Sequence, residues 1–163
     1  MELKKHFNVR KLLVLVYFVA FSIYLVIGFM PAEASDNGES SDFIASNIGL
    51  SSEVVEVKLQ DGKLATPDTI IGSYSGGDNN VFLFGHSSTV FTDLHNLLLN
   101  DEVSYMGKLY RIVKIDMLPK SMIRMSELLS SRSIDTLTIM TCAGEYLENG
   151  DSTHRLILTA IIK

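Results

Sequence analysis

The sequence predicts a mostly β fold, a closed or nearly closed β-barrel with short helices at its ends, preceded by one N-terminal transmembrane helix. Three observations predict it. Leu12 to Met30 is nineteen residues without a charge. Beyond it, runs of alternating or β-branched residues recur along the chain, which is the pattern of strands half-buried against one core. Between those runs lie Gly, Asn, Asp and Ser clusters that tolerate positive φ or bond their own backbone, so the strands are short and joined by tight turns.

The N-terminal elements come first in the chain. At about 1.5 Å per residue the uncharged stretch is long enough to cross about 30 Å of hydrocarbon. Residues 1–11 carry Lys4, Lys5, Arg10 and Lys11 against Glu2 alone, while Glu33, Asp36, Glu39 and Asp42 follow the stretch. That asymmetry predicts a cytoplasmic basic tail over 1–11, a transmembrane signal-anchor over 12–30 and a domain outside the cell. Ala32-Glu33-Ala34 has the small-x-small form of a signal peptidase site, so cleavage is the alternative, but the apolar stretch exceeds the 7 to 15 residues usual for a cleaved signal and favours an anchor. Residues 31–42, small, polar and acidic, read as a flexible linker.

From Phe43 onward the strand runs are Glu53 to Leu59, Val81 to Gly85, Leu109 to Asp116, Ile134 to Cys142 and Arg155 to Ile162. Asp61-Gly62, Ser75-Gly76-Gly77-Asp78, Met106-Gly107 and Asn149-Gly150-Asp151 supply turns. Two short helices are predicted, Val90 to Leu99 with Phe91, Leu94, Leu97 and Leu98 on one stripe, and Met125 to Ser130. With 163 residues, 47% of them hydrophobic and 20% charged, the chain has room for one core and excludes a disordered protein. Residues 31–163 hold 10 basic against 18 acidic side chains without a basic stripe, so nucleic acid is not an expected partner.

An exported chain with the single cysteine Cys142 cannot close an internal disulfide, so it pairs the thiol between molecules, buries it or uses it. Alternation along IDTLTIMTC puts Thr136, Thr138, Met140 and Cys142 on one face and Leu137, Ile139 and Thr141 on the other, with Cys142 at the strand's end before a polar loop. A thiol nucleophile needs a base and donors for an oxyanion. His86 ends the run VFLFGH on the face of Phe82 and Phe84, and Arg155 opens the last strand after a hairpin from Cys142, so both are candidates. Taken singly, each has a blander reading: a buried small hydrophobe, an edge histidine, a solvated charge. His154 is the rival base by proximity, and His6 and His95 carry no signal.

Together these residues carry a resemblance. Thr136 to Cys142, TLTIMTC, resembles the TLxTC signature of sortases, and Arg155 follows in RLILTA as that family's arginine follows its cysteine. Asn80 to His86, then Phe91, Leu94, Leu97 and Asp101, resembles the family's histidine strand and the short helix after it. Asp61 to Pro67 and Gly72-Ser73-Tyr74 resemble its preceding turns. The resemblance spans residues 43–163 and leaves the class open, since Phe43-Ile44-Ala45-Ser46 stands where the family has an apolar-x-Ile-Pro entry.

The resemblance implies a sortase-like closed barrel of about eight strands over 43–163. It also implies a cysteine transpeptidase that cleaves a C-terminal sorting motif of exported proteins through a thioacyl intermediate, with no cofactor. Cys142 would be the nucleophile, His86 the proton donor and acceptor, Arg155 the oxyanion or carbonyl donor, and Thr141 a residue that positions substrate. The expected partners are exported proteins bearing the motif and an amine acceptor such as a cell-wall precursor or a pilin lysine. A binding or scaffold module that keeps the barrel without activity, and a hydrolase that uses water as acceptor, are the alternatives. Glu145, Glu148 and Asp151 offer oxygen ligands of the kind calcium takes, but read as a solvated acidic loop, so no metal site is expected.

Overall fold

The computed structural model describes residues 42–163. The basic tail, the transmembrane signal-anchor and all of the linker except Asp42 lie outside the described residues. Among the described residues no helix is long and apolar enough to cross a membrane.

Nine strands form one sheet: β1 (Phe43–Ala45), β2 (Leu50–Ser52), β3 (Val54–Glu56), β4 (Ile71–Ser75), β5 (Asn80–Phe84), β6 (Glu102–Tyr105), β7 (Lys108–Pro119), β8 (Thr136–Tyr146) and β9 (Ser152–Ile162). Their order is β2-β1-β6-β7-β9-β8-β5-β4-β3. Pairing is antiparallel except between β3 and β4 and between β5 and β8. The two edge strands, β2 and β3, are consecutive in the chain with only Glu53 between them. One extended segment therefore pairs with β1 at one end and with β4 at the other, curling the sheet until its edges meet through the backbone. The expectation of about eight strands in a closed barrel is corrected to nine in a nearly closed one, because closure comes through a covalent kink at Glu53 rather than a continuous ladder.

The strand runs read from the sequence all contain strands, with shifted bounds. Four strands carry no alternation long enough to see: β1, β2, β4 and β6 have three to five residues each. The helix over Val90 to Leu99 is not formed. That segment is a series of turns with one 3₁₀ turn at Leu94–Asn96, although Phe91, Leu94 and Leu97 are fully buried as the stripe requires. Their spacing of three residues suits a 3₁₀-like period, and Leu98, which a 3.6-residue period would bury, is exposed. Thr92 Oγ1 donates to the Thr89 carbonyl at 2.7 Å and the Leu98 N–H to Asp101 Oδ2 at 2.8 Å, so side chains compete for the backbone groups a helix would use. The second predicted helix is a single turn, α1 (Met125–Leu128).

The core fills the inside of the curled sheet with Leu83 of β5, Leu137 and Ile139 of β8, Leu156 and Leu158 of β9, Ile112 of β7, and Phe43 edge-on to Phe91. Each such side chain contributes about 1.5 to 3 kcal/mol by leaving water. The other face of the central strands is built differently. Thr138 Oγ1 donates to Asn80 Oδ1, and Asn80 Nδ2 donates to the Leu128 and Ser130 carbonyls, both at 2.8 Å. This polar tie holds the end of α1 over the sheet and makes α1 a wall of the cleft described next.

Candidate active site

Alternation places Phe82, Phe84 and His86 on one face of β5 and its extension, Met140 and Cys142 on the same face of β8, and Arg155 and Ile157 on the same face of β9. Phe84 pairs with Met140 across the parallel ladder, and Cys142 pairs with Arg155 across the antiparallel one. One residue past the last β5–β8 pair, Thr141 Oγ1 donates to the Gly85 carbonyl at 2.8 Å and keeps the two strands in step. His86 and Cys142, each two residues beyond Phe84 and Met140, therefore reach the same level as Arg155. All three line one open cleft of about 840 Å³. Its floor includes Phe82, stacked on Phe84 with ring centroids 5.4 Å apart, and Met140; Leu59, Leu64, Met125 and Leu129 add apolar lining.

Local sequence explains the strand end at His86. A Cβ on Gly85 would meet Val90 Cγ1 at 2.6 Å and the Phe91 ring at 3.1 Å, so only glycine lets the chain turn against that cluster. The His86 carbonyl then accepts from the Thr89 and Phe91 N–H groups, fixing the backbone at the turn. Its imidazole hydrogen-bonds no protein group among the described residues, and neither does the Cys142 thiol. Cys142 is partly buried. It does not end its strand as expected: β8 continues to Tyr146, with the register shifting between Ala143 and Tyr146 around Gly144 at φ 77°. The irregularity bends the hairpin while keeping the Cys142–Arg155 pair intact.

Arg155 is held from several sides. Nη1 donates to Ser152 Oγ at 2.8 Å, to the His154 carbonyl at 2.9 Å and to the Ser152 carbonyl at 3.2 Å, and Nη2 donates to Asp151 Oδ1 at 2.8 Å. Of the five guanidinium N–H groups, both on Nη1 and one on Nη2 are thus engaged. The Nε–H and the second Nη2–H have no acceptor among the described residues and belong to a side chain that lines the cleft. The Asp151 carboxylate also accepts from Lys120 Nζ and from the Ser152 N–H. Lys120, Arg155 and that N–H hold the Asp151 carboxyl well below the usual carboxylate range.

The sequence-predicted residues thus fall in two groups. His86, Cys142 and Arg155 meet at the cleft, and Thr141, buried with its hydroxyl donated to Gly85, also contributes to its lining. His154 is on the opposite face of β9, paired with Ala143 and bonded to Thr153 Oγ1 at 2.8 Å. His95 is exposed and its ring meets the Thr92 carbonyl. Asp151, expected to be a solvated acid, is an ion-pair hub, and Lys120 and Ser152 were not anticipated. No local spacing reveals them, since Asp151 and Arg155 stand at i and i+4 in a hairpin rather than a helix.

Chemically, the cleft brings together a thiol, an imidazole without a hydrogen-bond partner among the described residues, and a guanidinium held in place with two N–H groups left over, above an apolar floor. Sortase A of Corynebacterium diphtheriae, as a lid mutant, superposes on 81% of this chain and 74% of its own with a TM-score of 0.56 at 18% identity. Sortase C1 of Streptococcus agalactiae does so over 82% and 72%, with a TM-score of 0.56 at 21% identity. The chain has the sortase fold. A sortase D5 transpeptidase of Clostridium perfringens gives the same TM-score over 75% of this chain and 77% of that one, at 21% identity. Sortases of classes A, C and D match alike, which leaves the class of this sortase fold undecided. No family model and no curated protein matches the sequence.

Proposed function

We propose that the chain is a membrane-anchored cysteine transpeptidase of sortase type. The observation that carries this reading is the register of β5, β8 and β9, which brings His86, Cys142 and Arg155 to one level of one cleft. The Cys142 thiol passes its proton to His86 as the sulfur attacks the carbonyl carbon of the scissile peptide bond, and the carbonyl electron pair moves to oxygen, where the Nε–H and the second Nη2–H of Arg155 stabilise it. Collapse breaks the C–N bond as His86 gives a proton to the leaving amine, forming a thioester on Cys142. An acceptor amine then attacks the thioester, His86 takes its proton, and the C–S bond breaks as the new amide forms, the proton returning from His86 to the Cys142 sulfur. Thr141 acts by holding Gly85, and with it His86, against β8.

The substrate is an exported protein with a C-terminal sorting motif, and the acceptor is an amine of a cell-wall precursor or a pilin lysine. The apolar floor of Phe82, Phe84 and Met140 supports an apolar residue in the motif. Mass spectrometry of a sorting-motif peptide library captured on Cys142 tests the reading. A thioester of 1:1 stoichiometry is expected, and its release by an added amine in preference to water separates transpeptidase from hydrolase. Protease treatment of intact cells is expected to remove residues 35–163 while the full chain fractionates with membrane. A mature N-terminus at Ser35 would contradict the anchor and leave export standing.

A further inference from the structure

The geometry points to Asp151, braced by Lys120, as the positioning residue for Arg155, an assignment that rests on the transpeptidase reading. Arg155 has four rotatable bonds, and a guanidinium that only lined the cleft would sweep its donors across many orientations. Asp151 removes that freedom. Its Oδ1 takes one Nη2–H of Arg155, and this contact selects which Nη2–H stays free beside Nε–H for a carbonyl oxygen. The carboxylate is itself fixed twice. Lys120 Nζ binds Oδ2 from the turn that follows β7, and the hairpin closes behind it, with the Asp151 N–H on Asn149 Oδ1 at 3.1 Å and the Leu147 N–H on the Asp151 carbonyl at 2.8 Å.

The chain Lys120–Asp151–Arg155 thus runs from one strand connection to another and ends in the cleft. Lys120 and Asp151 line the same cleft as Cys142. Charge adds to geometry: one carboxylate lies between two cations, so removing it leaves Lys120 and Arg155 to repel each other and takes from Nη2 the acceptor that orients it, while Nη1 keeps Ser152 and the His154 carbonyl. Asp151 has no role in bond making or breaking. It acts through Arg155, and its loss should lower the rate of the chemical step more than substrate binding.

Two readouts on the full chain test this. The first needs no turnover. In ¹⁵N-labelled protein a guanidinium held on four acceptors rotates slowly and gives separate Nη1 and Nη2 signals, assigned by their loss in Arg155→Lys. Asp151→Ala is expected to merge them, Lys120→Met to broaden them, and Asp151→Asn, which keeps an oxygen acceptor, to leave them distinct. Separate signals in Asp151→Ala overturn the inference. The second readout is hydroxylamine-dependent hydroxamate formation from the peptide captured on Cys142. Asp151→Ala is expected to lower kcat about 10-fold with KM changed less than about 2-fold, Asp151→Asn to recover most of that loss, and Asp151→Ala to have no further effect in an Arg155→Ala background. A loss that is additive with Arg155→Ala, or confined to KM, also overturns the inference. If the wild-type chain forms no thioester, the transpeptidase reading fails, and the Nη signals still decide whether Asp151 positions Arg155.

Discussion

The two sides of the cleft are built on opposite terms. On the β9 side, Arg155 is held by four acceptors from the hairpin, and the carboxylate holding it is held in turn by Lys120. On the β5 side, the His86 imidazole has no hydrogen bond among the described residues, and only its backbone is fixed, by packing at Gly85 and by Thr141. A group that stabilises a developing charge works best when its dipoles are already aimed, because reorientation during reaction costs energy. A group that moves two protons at different times must give and take at different atoms, and a permanent protein partner would compete with both. In the proposed reaction Cys142, between them, needs only a defined place, and the strand register pairs it with Arg155.

The largest expected effect lies at the centre of this comparison. Cys142→Ala removes a partly buried sulfur at an open rim, where little cavity results, so a thermal melt should shift by no more than a few degrees while turnover disappears. Measured turnover in this variant would remove the nucleophile from the scheme and make the contrast between its neighbours irrelevant.

Next in size is the test of aim against charge on the β9 side. Arg155→Lys keeps the positive charge but replaces a planar fork of five donors with three rotating ones, which cannot satisfy Asp151, Ser152 and the His154 carbonyl while presenting two donors to substrate. The expected loss in kcat/KM is about 10² to 10³, close to that of Arg155→Ala. A rate near wild type for Arg155→Lys would mean that the β9 side works by field alone, and the elaborate holding of the guanidinium would have no catalytic purpose.

The β5 side should break by packing instead. Gly85→Ala places a Cβ within 2.6 Å of Val90 and 3.1 Å of the Phe91 ring, inside the cluster that terminates β5. Overpacking of this kind costs about 1 to 3 kcal/mol. The melting temperature and the alkylation rate of Cys142 are the measurements. Stability should fall, and the pH dependence of alkylation should change as His86 is displaced. The same melt without a change in alkylation would show that the backbone at Gly85 does not set the position of the imidazole.

How legible the two sides were in the sequence follows the same division. His86, Cys142 and Arg155 lie on strands whose alternation is visible, and period two fixes which residues share a face once a strand is recognised. The length of β8 past Cys142 was hidden, because Gly144 with positive φ and the acidic residues around it look like a loop while the ladder continues around a bulge. Phe91, Leu94 and Leu97 were readable as buried positions but not as turns, since a period of three over seven residues is scarcely distinguishable from 3.6. Around Glu53 the run that contains β3 was readable, but β2 and the closure were not: each strand has three residues, and the closure depends on β2 pairing back with β1 while β3 pairs in parallel with β4. Asp151 was visible as a charge but not as a partner, because the contact between Lys120 and Asp151 depends on the docking of two separate connections.

The smallest expected effect concerns that hidden pair and comes from titration. The Asp151 carboxyl is held below its ordinary range by Lys120 first, then Arg155 and the Ser152 N–H. A carboxylate whose folded pKa is depressed contributes stability that is present above its unfolded pKa and is lost as pH falls through the folded one. The depressed Asp151 carboxyl sets the pH window. The melting temperature of Asp151→Asn should therefore lie below that of wild type by a constant few degrees above about pH 5, and the gap should narrow as pH drops below about 4. The gap is small because the side chain is a quarter exposed, at 27%, and water screens the pair. A gap that widens toward acid would reverse the sign of the linkage and show that Asp151 is not ion-paired in the folded chain. A gap that stays constant to pH 2 would show that its effect is packing rather than charge.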